Sequence, residues 1–243
     1  MQGLKKIERA AKRAVPDAWR KYLRASKYEL LMQRNAPVDL IVHVGAHWGE
    51  DAGFYESCGA KTVLWVEADP ETYKRLVTDM AKRDGTTRHL TECALVSAKP
   101  GKPMQFHRFK GDGASSSVHR ATDLLSQRFP EAGESGEVLE IAAQSLPQIL
   151  KAHGIDLAGF KKTMLVVDVQ GHEFEVLQGL GAGLQAFDMC KCEVSRVPIY
   201  DGGAKFEDID AHMVANGFRL ASHRYFQVPR HGDVLYLRDM TGG

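Results

Sequence analysis

Short apolar runs alternate with longer amphipathic segments through the first hundred residues. Apolar runs cover residues 38–45, 62–67 and 88–94, and the segments between them, 49–58 and 70–83, have the spacing of helices. Runs with so few polar positions are typical of parallel strands that are covered on both faces. This part of the chain therefore predicts a β-α-β-α-β unit.

Residues 97–140 interrupt this pattern. Apolar and polar positions alternate at Met104–Phe109, which indicates a half-exposed strand, and a second short strand is indicated at Val138–Ile141. Between them, Gly111–Ser117 has the composition of a flexible polar loop. We interpret the segment as an insertion that can shift when a ligand binds.

The second half of the chain returns to alternating helices and strands and closes with two strands in succession. Ser145 is a favourable N-cap for the first of these helices. In order, the pattern predicts a helix from Ser145 to His153, a strand at 164–169, a helix at 172–180, a strand at 189–194, a helix at 206–216 and a hairpin of 218–226 with 234–238. The resulting fold class is α/β, a three-layer αβα sandwich around a seven-stranded, mainly parallel sheet with an antiparallel C-terminal hairpin strand.

The chain before residue 37 differs in composition from the rest. Residues 3–34 predict two helices, separated near Pro16, that share an apolar stripe. Residues 1–36 hold ten Lys and Arg against three acids, a net charge of +7, while the remainder carries −6. We therefore divide the chain into a basic helical arm, 1–36, and a larger domain, 37–243. The arm either packs on the core with solvated charges or offers a basic surface to a membrane, an anionic substrate or a second subunit. In the last case the protein would be a homo-oligomer.

Composition narrows the class of protein. A chain of 243 residues with 44% hydrophobic residues and a net charge of +1 suits an ordinary globular protein with no general attraction to nucleic acid. No apolar stretch approaches the roughly 20 residues that span a bilayer, and the N-terminus lacks the apolar segment of a secretory signal. The four cysteines follow neither disulfide nor zinc-site spacing, so we expect a reduced, cytoplasmic compartment.

The first strand ends in a turn with glycines at positions 45 and 49. Glycine lets the backbone approach a ligand there, and the helix that follows offers its N-terminus. Glu67 ends the second strand, 22 residues after Gly45, at the distance of an acceptor for ribose hydroxyls in a βαβ unit. These features predict a nucleoside-binding half-sheet. The glycine spacing does not match G-x-G-x-x-G, and the chain closes with a hairpin, so an NAD-binding or nucleotide-sugar enzyme is disfavoured.

Eight short motifs occur in a fixed order along the chain. They are His43–Glu50, Val66–Pro70, Ala94–Ser97, Gly113–Ser117, Val167–Leu177, Cys192–Ser195, Ile199–Tyr200 and Gly217–Leu220. Each motif is weak alone, but the ordered set resembles the FkbM-type methyltransferases, a Rossmann-like class I family that depends on S-adenosyl-L-methionine (SAM). The resemblance runs from about residue 38 to residue 238 and excludes the basic arm.

The resemblance implies that SAM is the cofactor. The turn from Gly45 to Gly49 would meet the methionine carboxylate, Glu67 would accept bonds from the ribose, and the chain at Cys93 and Ala94 would border the adenine. A carboxylate suits the ribose because it accepts from both hydroxyls at once. The residues implied in cofactor binding are Gly45, Ala46, His47, Gly49, Glu67, Ala68, Cys93, Ala94, Ser116 and Asp168.

Two positions depart from the family pattern. His43 stands where the family commonly has Asp, and Gln170 stands where it often has Glu. The first departure leaves a second hypothesis open, in which the protein is a SAM-binding or regulatory module without turnover. The resemblance itself implies an enzyme that methylates a hydroxyl of a sugar, glycan or secondary metabolite.

Three side chains are candidate catalytic residues. Asp168 and Glu193 end two strands that are predicted to be neighbours, and His172 begins the helix after the first of them. Ligands of open α/β sheets lie at the carboxyl ends of the strands. Either Asp168 or His172 removes the acceptor's proton, or Asp168 and Glu193 bind Mg²⁺, which lowers the pKa of the acceptor hydroxyl. We favour the general base, since only two candidate metal ligands are visible, and Tyr200 is a candidate wall of the acceptor site.

Overall fold

The computed structural model describes residues 27–128, 133–223 and 231–239. The predicted helices before residue 27 and the turn of the C-terminal hairpin lie outside the described residues. Predicted and observed elements of the sandwich agree, with ends that differ by a few residues. The elements are α1 (Lys27–Arg34), β1 (Leu40–Val44), α2 (Ala52–Ser57), β2 (Thr62–Glu67), α3 (Pro70–Met80), β3 (Arg88–Cys93), β4 (Leu95–Val96), β5 (Pro103–Phe109), α4 (Asp123–Arg128), β6 (Glu134–Gln144), α5 (Leu146–Ala152), β7 (Thr163–Val167), α6 (Glu173–Leu180), β8 (Met189–Ser195), α7 (Phe206–Ala215), β9 (Phe218–His223) and β10 (His231–Arg238).

Seven strands form the main sheet in the order β3-β2-β1-β7-β8-β10-β9. The pairs from β3 through β8 are parallel, and β10 runs antiparallel to both β8 and β9. The mainly parallel sheet with an antiparallel C-terminal strand is thereby confirmed. The order reverses between β1 and β7, where the segments that follow the two strands diverge and open a crevice at their carboxyl ends.

Alternate residues of the strands face opposite sides of the sheet. Along β1, Leu40, Val42 and Val44 belong to an apolar cluster that includes buried residues of α5, α6 and α7, which we call the α5–α7 face. Ile41 belongs to a second cluster with buried residues of α1, α2 and α3, the α1–α3 face. Helices thus cover both faces, because strands without polar positions must be shielded from water on both sides.

The helix α1 contributes to this second face. Tyr28 is 8% exposed, and Met32 is fully buried against the sheet. The described part of the basic arm therefore packs on the core. None of the helices described here is long and apolar enough to cross a lipid bilayer.

The segment between β3 and α5 forms a second, three-stranded sheet in the order β4-β6-β5. The pair β4–β6 is parallel and the pair β5–β6 is antiparallel, with a register shift between His107 and Phe109. Leu95, Phe106 and Ala143 form its small apolar core. The half-exposed strand predicted at Met104–Phe109 is confirmed.

Two elements of this segment differ from the sequence prediction. The strand predicted at Val138–Ile141 spans Glu134–Gln144, and the helix Asp123–Arg128 was not predicted. Most side chains of β6 before Ala143 are at least partly exposed. An exposed strand with charged and glycine positions lacks the apolar alternation from which its length could be read.

Candidate active site

A cavity open to solvent lies at the reversal of strand order, at the carboxyl ends of β1, β2 and β7. Seven of the residues predicted to bind the cofactor line it. They are Gly45, His47, Glu67, Ala68, Ala94, Ser116 and Asp168. The other three lie outside the lining, because Ala46 is buried in the α1–α3 face, Gly49 packs on α3 and Cys93 faces solvent.

The turn after β1 needs glycine for a reason within the protein. Gly45 has φ +82°, and a Cβ there would lie 1.8 Å from the carbonyl oxygen of Asp168. Gly49 has φ +75°, and its Cβ would lie 2.7 Å from the methyl carbon of Met80. We expected these glycines to let the backbone approach a ligand. The structure shows that they let the backbone approach β7 and α3, with Gly45 also lining the cavity.

Glu67 presents a fixed carboxylate to the cavity. The residue is 8% exposed, its Oε2 accepts the backbone N–H of His47 at 2.9 Å, and its Oε1 accepts that of Asp69 at 2.8 Å. Burial raises the pKa of Glu67 to about 7, although both N–H groups favour the charged form. Each oxygen has a further lone pair, so the carboxylate can accept two more hydrogen bonds from a ligand.

The polar loop after β5 covers the cavity and is held by hydrogen bonds. Ser117 Oγ donates to the carbonyl oxygen of Gln170 at 2.6 Å, and Tyr200 Oη donates to Gln170 Oε1 at 2.6 Å. The Nε2 of His47 lies 3.1 Å from the carbonyl oxygen of Asp112. The sequence predicted a flexible loop, and the structure ties that loop to the turns after β1, β7 and β8.

An ion pair joins the second sheet to the end of β2. Arg108 donates from Nε and Nη2 to the two carboxylate oxygens of Asp69 at 2.6 and 2.7 Å. Asp69 is also the N-cap of α3 and accepts the backbone N–H of Glu71. A guanidinium fits a carboxylate in this bidentate way, which fixes direction as well as distance. Arg108 therefore sets where the second sheet stands beside the cavity.

Asp168 lies at the base of the cavity beside a buried lysine. Its Oδ1 accepts Gln170 Nε2 at 2.8 Å, and its Oδ2 lies 4.0 Å from Lys191 Nζ. The same Nζ lies 3.5 Å from Asp233 Oδ1. Burial, followed by the nearby Glu193, raises the pKa of Asp168 well above its usual range. Burial opposes the charge of Lys191, but Asp168 and Asp233 raise its pKa overall.

His172 lines the cavity with both ring nitrogens engaged. Its Nε2 lies 3.0 Å from Ser97 Oγ, and its Nδ1 lies 3.3 Å from His119 Nε2. Burial lowers the pKa of His172 to about 4, so the imidazole is neutral near pH 7. A base with so low a pKa is a weak acceptor for the proton of an alcohol.

His43, the departure from the family pattern, lies outside the cavity. Its side chain packs 5.4 Å from the Trp65 ring between ring centroids, and Tyr55 Oη lies 3.1 Å from its Nδ1. Burial lowers the pKa of His43 to about 3, so the ring is uncharged. His43 therefore belongs to the α1–α3 face rather than to the lining.

A second cavity lies beyond the end of β8, and its lining includes Gly171 and Glu173, which are chain neighbours of Gln170 and His172 in the first lining. Glu193, Tyr200 and His231 are among the residues that line it, and Glu193 Oε1 lies 3.1 Å from His231 Nε2. One carboxylate oxygen from each of Asp168, Glu193 and Asp233 lies within 4.8 Å of the others. The structure thus brings together the predicted catalytic acids, Asp168 of the first lining and Glu193 of the second.

Several residues of the site were not predicted from the sequence. Lys191 was missed because a single lysine within an apolar strand carries no motif. The apolar wall was not assigned to the site, although Leu95 and Val96 lie in the Ala94–Ser97 motif. Half-exposed alternation was the only signal for Phe106, and Val118 lies in the loop after β5. That wall consists of Leu95, Val96, Phe106 and Val118.

Among solved structures, several methyltransferases match this chain at low sequence identity. A ribosomal protein L11 methylase from Lactobacillus delbrueckii subsp. bulgaricus is 12% identical, with 87% of this chain and 77% of that chain covered and a TM-score of 0.45. Magnesium protoporphyrin IX methyltransferase from Synechocystis PCC 6803, solved with SAM, is 11% identical over 88% and 77%, with a TM-score of 0.44. M. capricolum TrmK, solved with S-adenosylhomocysteine (SAH), is 10% identical over 89% and 69%, with a TM-score of 0.45.

The family of the chain follows from its sequence. No curated protein is significantly similar to it. The Methyltransferase FkbM domain, however, matches residues 43–220, which include the end of β1, all of β2, β7 and β8, and the lining residues of the first cavity. The resemblance expected from the eight motifs is confirmed, and the chain belongs to the FkbM methyltransferase family, a family of SAM-dependent enzymes.

Proposed function

We propose that the protein transfers the methyl group of SAM to a hydroxyl group of a sugar, glycan or other small metabolite. The observation that carries the proposal is the cavity at the strand-order reversal, which gathers Gly45, Glu67 and Asp168. Glu67 would accept the two ribose hydroxyls. The apolar wall of the second sheet would cover the adenine, and the turn at Gly45 would lie beside the methionine part.

Asp168 is the general base of the proposed reaction. When bound, SAM supplies a methyl group on a sulfonium sulfur, which leaves as a neutral thioether. Asp168 accepts the acceptor's hydroxyl proton as the acceptor oxygen forms its bond to the methyl carbon. The raised pKa of Asp168 makes its ionised form a stronger base, and Lys191 keeps that form accessible. The low pKa of His172 argues against a role as the base.

Mg²⁺ does not fit between the acids of this site. The ammonium of Lys191 already lies 4.0 Å from Asp168 and 3.5 Å from Asp233. Mg²⁺ requires near-octahedral oxygen ligands at about 2.0–2.1 Å, and a neighbouring ammonium would repel it. We therefore propose no metal step in the methyl transfer.

The second cavity is the proposed acceptor site. Glu193 in its lining lies close to Asp168 of the first cavity, and Tyr200 forms part of its wall. Glu193 and His231 offer a carboxylate and an imidazole, which suit a polyhydroxylated ring. These contacts favour a hydroxyl acceptor and support Glu193 as a residue that positions it.

A titration with SAH tests the cofactor assignment. Glu67→Gln should weaken SAH binding by about 10-fold to 100-fold, because a charge-assisted hydrogen bond contributes about 1.5–3 kcal/mol. Glu71→Gln, an exposed carboxylate on α3, is the matched control and should bind as the unchanged protein does. Equal SAH affinity of Glu67→Gln and the control, measured by calorimetry, would contradict the assignment. NAD should give no binding signal.

A transfer assay separates the enzyme from a non-catalytic SAM-binding module. Isotope-labelled SAM is incubated with fractionated cell extracts, and the labelled acceptor is purified. At saturating SAM, Asp168→Asn should reduce transfer by at least about 100-fold, whereas a chelator should leave the maximal rate unchanged. Transfer at the original rate by Asp168→Asn would remove Asp168 from the chemistry. Tight SAH binding without labelling of any fraction would favour the module.

A further inference from the structure

Two histidines and a carboxylate meet at the start of α6. His172 precedes the helix, Glu175 lies in its first turn, and His119 comes from the loop after β5. A ring nitrogen of each histidine and a carboxylate oxygen of Glu175 all lie within 4.8 Å of one another. Neither His119 nor Glu175 has a part in the proposed methyl transfer.

The distances match the edges of a tetrahedral metal site. His172 Nδ1 lies 3.3 Å from His119 Nε2 and 3.5 Å from Glu175 Oε2. Zinc binds nitrogen and oxygen at about 2.0–2.1 Å in tetrahedral geometry, which places neighbouring ligand atoms about 3.3 Å apart. Both observed separations are close to that value, and the ligand atoms of His119 and Glu175 lie within 4.8 Å of each other.

The other nitrogen of each ring is held by an oxygen atom. His119 Nδ1 lies 2.8 Å from the carbonyl oxygen of Asp201, and His172 Nε2 lies 3.0 Å from Ser97 Oγ. Metal-binding histidines have such a partner on the non-ligating nitrogen almost always, because it fixes the tautomer and the direction of the ring. Here it leaves His119 Nε2 and His172 Nδ1 facing the same point.

Glu175 supplies the third ligand atom. Its Oε2 is buried and makes no hydrogen bond with any residue that the structure describes. Its side chain as a whole is 33% exposed, which gives an ion a path from solvent. A buried carboxylate oxygen without a hydrogen bond, 3.5 Å from an imidazole nitrogen, is an independent indication of a bound cation.

We propose that His119, His172 and Glu175 bind a divalent transition-metal ion such as Zn²⁺, with a fourth position open to water. Imidazole and carboxylate ligands suit Zn²⁺ and Co²⁺, whereas Mg²⁺ and Ca²⁺ prefer oxygen alone. Binding through His172 Nδ1 places the proton of that ring on Nε2, which donates it to Ser97 Oγ. Without the metal, His172 Nδ1–H donates to His119 Nε2 instead.

The ion would tie the loop after β5 to the start of α6. That loop also contributes Gly113, Ala114, Ser116 and Val118 to the lining of the first cavity. A metal bound to His119 would therefore hold the loop over the cavity and raise the affinity for SAH. This consequence rests on the proposed function, whereas binding of the metal itself does not.

Metal binding is tested on the full chain after treatment with a chelator. Titration with Co²⁺, followed by its visible absorption, and with Zn²⁺ by calorimetry should each give one site per chain. Glu175→Gln and His119→Gln should weaken binding by at least about 10-fold. His153→Gln is the matched control, because in the described part of the chain His153 pairs with a carboxylate, that of Glu92, and not with a second histidine. It should leave binding unchanged.

Thermal unfolding with and without Zn²⁺ provides a second measurement. The ion should raise the midpoint of the unchanged protein and of His153→Gln, but not that of Glu175→Gln. The proposal is overturned if the unchanged protein does not bind one metal ion per chain at about 100 μM metal, or if all variants bind equally. His119 and His172 would then be a hydrogen-bonded pair without a metal. Metal binding without any effect on SAH affinity would overturn only the loop consequence.

Discussion

At the scale of single residues, the burial of Glu67 predicts that SAH affinity depends on pH. Its pKa is raised to about 7 by burial, and only the ionised form accepts hydrogen bonds from both ribose hydroxyls. SAH affinity should therefore be full above pH 7 and fall as the pH drops through that value, by about 10-fold between pH 8 and pH 6. Calorimetry across this range measures the effect, and Glu67→Gln should show weaker and nearly constant affinity.

Lys191 offers a second prediction at this scale. Replacing it by Met leaves Asp168 and Asp233 without their shared cation, and breaking a buried pair costs about 3–5 kcal/mol. Urea unfolding should show this loss in Lys191→Met, and the double variant with Asp233→Asn should recover part of it. The exposed Lys161→Met serves as the control. A loss no greater than in the control would show that the pair does not stabilise the fold.

The residues of the site were predictable to different degrees. Glu67 could be predicted because its distance from Gly45 is a local property of one βαβ unit. Lys191 could not, since its partner Asp233 is brought near only when β10 pairs antiparallel with β8. The requirement for glycine at position 45 was predicted, but its cause was not, because the carbonyl of Asp168 reaches Gly45 only across the sheet.

At the scale of elements, the bidentate pair of Arg108 and Asp69 links the second sheet to α3. Arg108→Lys keeps the charge but loses the planar pairing of two N–H groups with two oxygens. The wall of the cavity should then be held less firmly, and SAH affinity should fall by about threefold to tenfold. Arg120→Lys is the control, because Arg120 is exposed and makes one 3.4 Å contact with Glu134. Equal SAH affinity in both variants would show that the Arg108–Asp69 ion pair does not fix the position of the apolar wall of the cavity.

Elements were predictable where they lie in the main sheet. The strands β1, β2, β7 and β8 are buried on both faces and can be recognised as apolar runs. The strand β6 was predicted too short, and α4 was not predicted, because both belong to a segment whose apolar contacts come from distant parts of the chain. Phe109 and Leu125, for example, pack with Ile199 and Tyr200 beyond β8.

At the scale of the whole molecule, the order of the strands explains the position of the site. Reversal between β1 and β7 places Gly45 and Asp168 side by side, and the reversed β10 delivers Asp233 and His231 to the end of β8. The sequence predicted seven strands and an antiparallel end from the pattern of elements. The proximity of Asp168, Glu193 and Asp233 depends on tertiary pairing, which no local pattern contains.

The extent of the folded unit is the last prediction, and it concerns α1. The sequence division places the domain boundary at residue 37, yet Met32 is fully buried in the α1–α3 face. If α1 belongs to the cooperative unit, Met32→Ala should lower the free energy of unfolding by about 2–5 kcal/mol through lost burial and a cavity. The exposed neighbour Gln33→Ala should change it by less than about 0.5 kcal/mol. If Met32→Ala and Gln33→Ala unfold at the same urea concentration, α1 lies outside the cooperative unit, and residue 37 is supported as the start of that unit.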